Sequence, residues 1–91
     1  MKMMRTKSPI RTMRERRGWR AADLAIFAGM SLGGVTMCER GELAKLPARL
    51  EAALIRLGED IEHVRSQHAE FVEARRRSLT LRAVRSSHID Q

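Results

Sequence analysis

The side chains of this sequence that could do chemistry are above all its 18 lysines and arginines. Against 11 aspartates and glutamates they give a net charge of +7 and a pI of about 11.2. The cations gather at the two ends, with eight in residues 1–20 and five in residues 75–91, each against one acid. This distribution favours a polyanionic partner with a phosphate backbone. Solubility with flexible ends is one alternative, and an anionic membrane surface is another, although the basic stretches lack a companion apolar face.

The remaining reactive residues give little support for catalysis. His63, His68 and His88 share no metal-ligand spacing, and Cys38 falls on an apolar face rather than beside a base. No phosphate-binding or dinucleotide glycine motif occurs. We therefore expect neither an enzyme nor a cofactor. The single cysteine, the lack of a signal-peptide pattern and the lack of an apolar run of ~20 residues predict a cytoplasmic protein.

The elements that must position the cations are predicted to be five short helices. Aromatic residues make up only 3% of the chain, which argues against a β-sandwich and against single-strand binding on stacked bases. Helix starts are indicated at Ser8-Pro9, Ser31 and Pro47, and helix ends at Gly18, Gly29 and Gly58. Residues 8–77 would form the domain, between a basic flexible arm at 1–7 and a basic flexible tail at 78–91.

The stretch "LAIFAGMSLGGVTMCERGE" leaves one local alternative open. Gly33-Gly34 suits the two-residue turn of a β-hairpin. The flanking residues are short and do not alternate, and an isolated hairpin is marginally stable. The all-α interpretation is therefore favoured, with the two glycines at the start of a helix.

The order of the segments over residues 9–65 resembles the helix-turn-helix of phage-repressor-like (Cro/xenobiotic-response-element-type) DNA-binding proteins. Ala25 and Gly29 match the small residue at the helix crossing and the glycine of the turn. Val35 and Cys38 match two buried positions of the recognition helix, which "CERG" would close, and "RERRGW" resembles the end of the first helix. The resemblance implies a small all-α, five-helix helix-turn-helix domain with an extended C-terminal helix.

The same resemblance implies a DNA-binding surface and a structural ion pair. Arg14 would face Glu39 in a part-buried pair, with two unrelated surface charges as the alternative. Double-stranded DNA would be contacted by Arg17, Arg20, Ser31, Leu32, Gly33, Thr36, Met37, Arg40 and Lys45, and by the arm cations Lys2, Arg5 and Lys7. No metal site is expected.

The chain departs from the family at "LGG", where side chains that match base edges are expected. Three explanations stay open. The backbone of Gly33 and Gly34 could approach a phosphate. Specificity could come from DNA shape and from the basic arm. Alternatively, Leu32 and Met37 could form an adaptable apolar patch that binds a protein.

Spacings of three and four continue along the last predicted helix at Ile61, Val64, His68 and Phe71. Such a seam packs on another helix, either in the chain's own core or in a homodimer, which we favour. The sequence thus predicts a dimeric DNA-binding transcriptional regulator, a repressor or autoregulator, at the prokaryotic nucleoid. The alternative keeps the fold but binds a protein, an activator or a toxin, as an anti-activator or antitoxin-like regulator.

Overall fold

The chain folds as five α-helices in a computed structural model that describes residues 7–89. Helix α1 spans Pro9–Arg16, α2 Ala21–Ala28, α3 Leu32–Glu39, α4 Ala48–Arg56 and α5 Ile61–Ile89. No strand occurs within residues 7–89, so the predicted all-α class is confirmed and the hairpin alternative is wrong. Gly33 and Gly34 lie in the first turn of α3.

Hydroxyl side chains begin two of the helices, as predicted. Ser8 Oγ accepts two backbone amides of the first turn of α1 at 3.2 and 3.3 Å, and Pro9 is the first helical residue. Ser31 Oγ accepts the backbone amide of Gly34 at 3.1 Å. These amides have no acceptor within their own helix, so the two hydroxyl groups fix where α1 and α3 begin.

The turn between α2 and α3 depends on Gly29. Its φ of 70° and ψ of 35° are left-handed, a conformation in which a Cβ is strained. The chain bends by 117° between the two helices. No single helix of residues 7–89 is long and apolar enough to cross a membrane. The bent pair of α2 and α3 reaches the required length and composition only when the two helices are counted together. Buried Ala25 lies one helical turn before Gly29 and supplies the small side chain that was predicted there.

A single core joins all five helices. Val35 and Cys38 are fully buried, as predicted, and attach α3 to the rest of the domain. Removing an aliphatic side chain of this size from water contributes about 1.5–3 kcal/mol. The core consists of Ile10, Met13, Leu24, Ala25, Ala28, Val35, Cys38, Leu46, Leu50, Ala53, Leu54 and Val64.

Helices α4 and α5 are separate, as the glycine between them indicated. Gly58 has a φ of 84° and follows the last turn of α4. The tail that the sequence predicted to be flexible from residue 78 is helical through Ile89, as the end of α5. This stretch contains no glycine or proline that would end the helix, and five of its twelve residues are arginine, leucine or alanine, which are good helix formers.

Substitution by alanine should change stability in opposite directions at left-handed Gly29 and at helical Gly33. We expect Gly29→Ala to destabilise the fold by about 1–2 kcal/mol, because the left-handed conformation is strained with a Cβ. Gly33→Ala should leave stability unchanged or raise it by up to about 1 kcal/mol, because Gly33 is helical and its added Cβ meets only Ser31 Oγ at 4.0 Å. Urea unfolding of the two variants measures both changes. A Gly29→Ala protein as stable as wild type would contradict the role given to this turn.

Candidate nucleic-acid interface

The outward side of α3 and of its C-cap residue Arg40 is largely exposed, with Thr36 half-buried. At 100° per residue, four positions of α3 and the C-cap fall within an arc of roughly 140°, opposite buried Val35 and Cys38. Leu32 is 50% exposed and Met37 40% exposed, so two large apolar side chains lie on this side of the helix. We call this surface the α3 arc; it consists of Leu32, Gly33, Thr36, Met37 and Arg40.

The two glycines of α3 differ in what surrounds them. A Cβ on Gly34 would lie 3.0 Å from Met30 Cε and 3.4 Å from Ser31 Oγ, so the absent side chain leaves room for Met30. A Cβ on Gly33 would meet nothing closer than Ser31 Oγ at 4.0 Å. A side chain would therefore be tight at Gly34, where the end of Met30 would have to shift, and would have free space at Gly33.

The polar residues of the α3 arc are not equally available. Thr36 Oγ1 donates to the Gly33 carbonyl oxygen at 3.0 Å, so this hydroxyl is turned toward its own helix. The Arg40 side chain is 68% exposed, and its contact with Glu42 is a loose 3.9 Å. Arg40 is therefore the cationic side chain of the α3 arc that is free to extend into solvent.

An ion pair holds α3 from behind. Arg14 Nε and Nη2 donate to the two Glu39 carboxylate oxygens at 2.7 and 2.9 Å, a bidentate arrangement. The same guanidinium donates through Nη1 to the Trp19 carbonyl oxygen at 3.0 Å. The side chains of Arg14 and Glu39 are only 15% and 9% exposed. Hydrogen bonding to Glu39 raises the pKa of the Arg14 guanidinium, and the predicted part-buried pair is confirmed.

Of the cations proposed to contact phosphates, the Arg17 side chain is already bonded within the described fold, whereas those of Arg20 and Lys45 are not. Arg17 donates to Glu59 at 2.8 Å and to the Leu57 carbonyl oxygen at 3.2 Å, which ties the end of α1 to the α4–α5 turn. Arg20 and Lys45 are exposed, with Asp23 accepting only the backbone amide of Arg20. The interface prediction is therefore weakened at Arg17, whose guanidinium is already used within the fold.

The predicted basic arm is described at one position only. Lys7 Nζ lies 2.8 Å from Glu15 Oε1, and Arg11 bonds to the same carboxylate at 2.8 Å. These two cations hold the pKa of Glu15 at about 2, and both lie at the surface. Lys2 and Arg5 lie outside the described residues.

The residues expected at a dimer interface are packed within their own chain. Val64, His68 and Phe71 are buried, and half-buried Ile61 packs against the same core. His68 Nε2 lies 2.8 Å from the Leu43 carbonyl oxygen, which ties α5 to the loop after α3. The spacing of three and four was correctly identified as a packed seam. Its assignment to a partner chain is wrong, because α1 and the α3–α4 loop already cover it.

Two arginines of α4 hold the α2–α3 turn, and sequence reasoning missed both. Arg49 Nη1 donates to the Gly29 carbonyl oxygen at 2.7 Å, and Arg56 Nη2 to that of Phe27 at 2.9 Å. The Arg56 guanidinium also lies 4.4 Å from the centre of the Phe27 ring. Cations favour the carbonyl end of a helix, and a spacing of seven puts both arginines on one face of α4. That spacing was the available signal.

The residues that the structure describes form no metal-ligand cluster at this surface, and their cysteine lies apart from it. Among residues 7–89 no three histidine, cysteine or acidic side chains are grouped so as to hold a metal ion. Cys38 is fully buried, and burial raises the pKa of its thiol to about 11, so it stays protonated at neutral pH.

Comparisons with protein-family models, curated proteins and solved structures found no match for this chain. The geometry of α2, α3 and their surroundings is therefore what supports a functional proposal.

The Arg14–Glu39 pair should be energetically coupled far more strongly than a surface pair. We expect a double-mutant cycle of Arg14→Met and Glu39→Gln to give a coupling of about 1.5–3 kcal/mol, as for a charged hydrogen bond shielded from water. The exposed Arg11–Glu15 pair, also at 2.8 Å, is the matched control and should give at most about 0.5 kcal/mol. Urea unfolding of wild type and of the variants in each cycle measures both, and equal couplings would contradict the role of burial.

Proposed function

We propose that this chain is a sequence-specific double-stranded DNA-binding regulator of transcription. In this proposal α2 and α3 form a helix-turn-helix in which α3 is the recognition helix. The observation that carries the proposal is the α3 arc, an exposed helical face whose opposite side is anchored by Val35, Cys38 and the Arg14–Glu39 pair. A helix of about 10–12 Å diameter fits a major groove of about 12 Å width.

The side chains of the α3 arc and its surroundings suit different contacts with DNA. Arg40 has the reach and the donor fork to bind guanine edges or a phosphate. Leu32 has an apolar side chain that suits a thymine methyl group. Arg20 and Lys45, exposed at the start of α2 and after α3, would neutralise phosphates on either side.

Gly33 is the least expected member of the arc, and its surroundings give it a role. A helical glycine costs up to about 1 kcal/mol relative to alanine, and the chain gains no packing from it. Without a side chain, the first turn of α3 can bring its backbone amides against a phosphate, where the helix dipole favours negative charge. This supports the first of the three explanations for "LGG".

A specific observation keeps the second candidate function in view. Leu32 and Met37 are large, apolar and exposed on one helical face, a composition that also suits a protein partner. In that case the chain would bind an activator or a toxin as an anti-activator or antitoxin-like regulator. The cationic surroundings of the arc, with Arg20, Arg40 and Lys45, favour DNA.

A homodimer remains part of the proposal, but its interface needs a different location. Val64, His68 and Phe71 are inside the folded chain, so a polar substitution at Phe71 would test folding rather than assembly. Two-fold binding predicts two protein chains for each operator, with half-sites about one helical turn apart.

Removing the available cations of the interface should weaken binding to DNA. We expect the Arg20→Ala, Arg40→Ala protein to lose most affinity for a duplex of the chain's own promoter region. Its slope of log K against log salt should fall by about 0.9 for each phosphate that the variant no longer neutralises. Fluorescence anisotropy across a salt series measures both quantities.

A charge-matched control separates direct phosphate binding from net charge. Arg11→Ala, Arg65→Ala removes the same number of cations from carboxylate-paired surface positions and should bind nearly as wild type does. The proposal fails if wild-type protein shows no preference for any duplex selected from a random pool. Loss of a co-purified protein partner on Leu32→Glu, with that lack of preference, would establish the alternative function.

Gly33→Ala should separate DNA binding from stability. The added methyl group does not clash within the fold, so the variant should unfold at the same or a higher urea concentration than wild type. It should nevertheless bind the selected duplex at least about tenfold more weakly, the equivalent of about 1.4 kcal/mol, if backbone amides approach a phosphate. Wild-type affinity in this variant would exclude the close approach and leave DNA shape as the explanation.

A further inference from the structure

The part of α5 beyond the core is a long cationic helix. Among residues 61–84 of α5, Phe71 is the last buried one, and the helix continues from it to Ile89, a distance of about 27 Å at 1.5 Å per residue. Residues 74–89 hold five arginines and no aspartate or glutamate. We call this segment the α5 extension. Like charges close together on one helix repel each other, so the segment is electrostatically suited to lie against a polyanion.

The α5 extension begins next to the C-terminal end of α3 in space. A Cβ on Gly41 would lie 2.9 Å from Arg75 Cδ and 3.1 Å from Phe71 Cε2, so the backbone that follows α3 packs directly on the stem of Arg75. Gly41 is the residue after Arg40, the outward cation of the α3 arc. The extension therefore leaves the domain beside the C-terminal end of the candidate recognition helix.

The arginines of the extension are largely uncommitted within the fold. Arg76 Nη1 lies 3.4 Å from Glu73, and both side chains are more than half exposed. Arg77 and Arg82 are exposed, and neither forms an ion pair within the described part of the chain. Exposed pairs such as Arg76–Glu73 contribute little, so these cations are available to a partner.

We propose that the α5 extension is a second DNA-binding element that neutralises phosphates without reading bases. The inference rests on the proposed function, because it assumes that α3 lies against a duplex. B-form DNA carries one negative charge per about 1.7 Å of its axis, so a cationic helix about 24 Å long meets phosphates at any sequence. The extension would raise affinity for all DNA, while the α3 arc supplies sequence preference.

The arrangement of side chains favours DNA over an acidic protein as the partner. Arg75 and Arg82 share one face of α5, whereas Arg76 and Arg77 point to others at 100° per residue. Val72, Leu79 and Ala83 share one face of α5, but Arg75 and Arg76 border that face. The exposed residues Leu81 and Val84 lie on the other side of the helix. A helix that docks in a protein groove needs an apolar stripe free of such cations, which this segment lacks.

The test compares two charge-matched triple variants of the full chain. One removes three cations of the extension through Arg76→Gln, Arg77→Gln and Arg82→Gln, and glutamine keeps the helix propensity close to that of arginine. The other removes three carboxylate-paired cations elsewhere through Arg11→Gln, Arg16→Gln and Arg65→Gln. Fluorescence anisotropy with a random-sequence duplex and with a selected duplex gives affinity and salt slope for each protein.

The extension variant should lose up to about 2.7 from the salt slope on both duplexes, at about 0.9 per phosphate. The ratio of its affinities for selected and random duplex should stay at the wild-type value, and the control should keep the wild-type slope. If wild type binds DNA and the extension variant keeps its slope, the role of the extension is overturned and the proposed function stands. Equal losses in both variants would also overturn it. If wild type binds no duplex, the proposed function itself fails.

Discussion

Helix α3 is too short and too rich in glycine to stay helical by itself, so its structure depends on the contacts that attach it to the rest of the domain. It has eight residues, two of them glycines, and helices of this length do not persist alone in water. Two fully buried side chains and the bidentate Arg14–Glu39 pair attach its inner side to α1 and to the core. Because the anchoring is complete on that side, the outer side can consist of glycine, exposed leucine and exposed methionine without loss of the helix.

Apart from the arginines that pair with carboxylates at the surface, such as Arg11 and Arg65, the arginines of the chain form two groups. One group acts within the fold: Arg49 and Arg56 bond to carbonyl oxygens at the end of α2, and Arg17 bonds to the α4–α5 turn. The other group lies at the surface around the α3 arc and along the α5 extension. A net charge of +7 therefore does not describe a uniformly basic surface. Among the described residues, the exposed cations without a close carboxylate partner include Arg20 at the start of α2, Arg40 and Lys45 at the end of α3 and beyond it, and Arg77 and Arg82 on the α5 extension.

Sequence reasoning located the elements well where a local rule determines them. Ser8, Ser31 and Gly29 act through bonds or dihedral angles within a few residues, so their roles can be inferred from neighbours along the chain. The seam through Val64 and Phe71 showed that α5 packs, but a periodic pattern does not specify what it packs against. The helical extension was missed because charge was taken as a sign of disorder, although no helix breaker is present. The candidate site was predicted mainly by resemblance, and the structure adds the packing contrast between Gly33 and Gly34.

That contrast bears on why a marginal helix would contain two glycines. At Gly34 a Cβ would lie 3.0 Å from Met30 Cε, so the end of that flexible side chain would have to shift by a few tenths of an ångström. At Gly33 the fold would tolerate a side chain and would gain helix stability from one. Nothing within the described part of the fold therefore requires glycine at this position, and any requirement for it comes from a binding partner. A residue that costs stability, has free space and lies at the amide-rich start of an exposed helix is what close approach of a backbone to an anion requires. An apolar protein partner would gain contact area from a side chain there. The openness around Gly33 thus favours a phosphate over an apolar surface as the partner of α3.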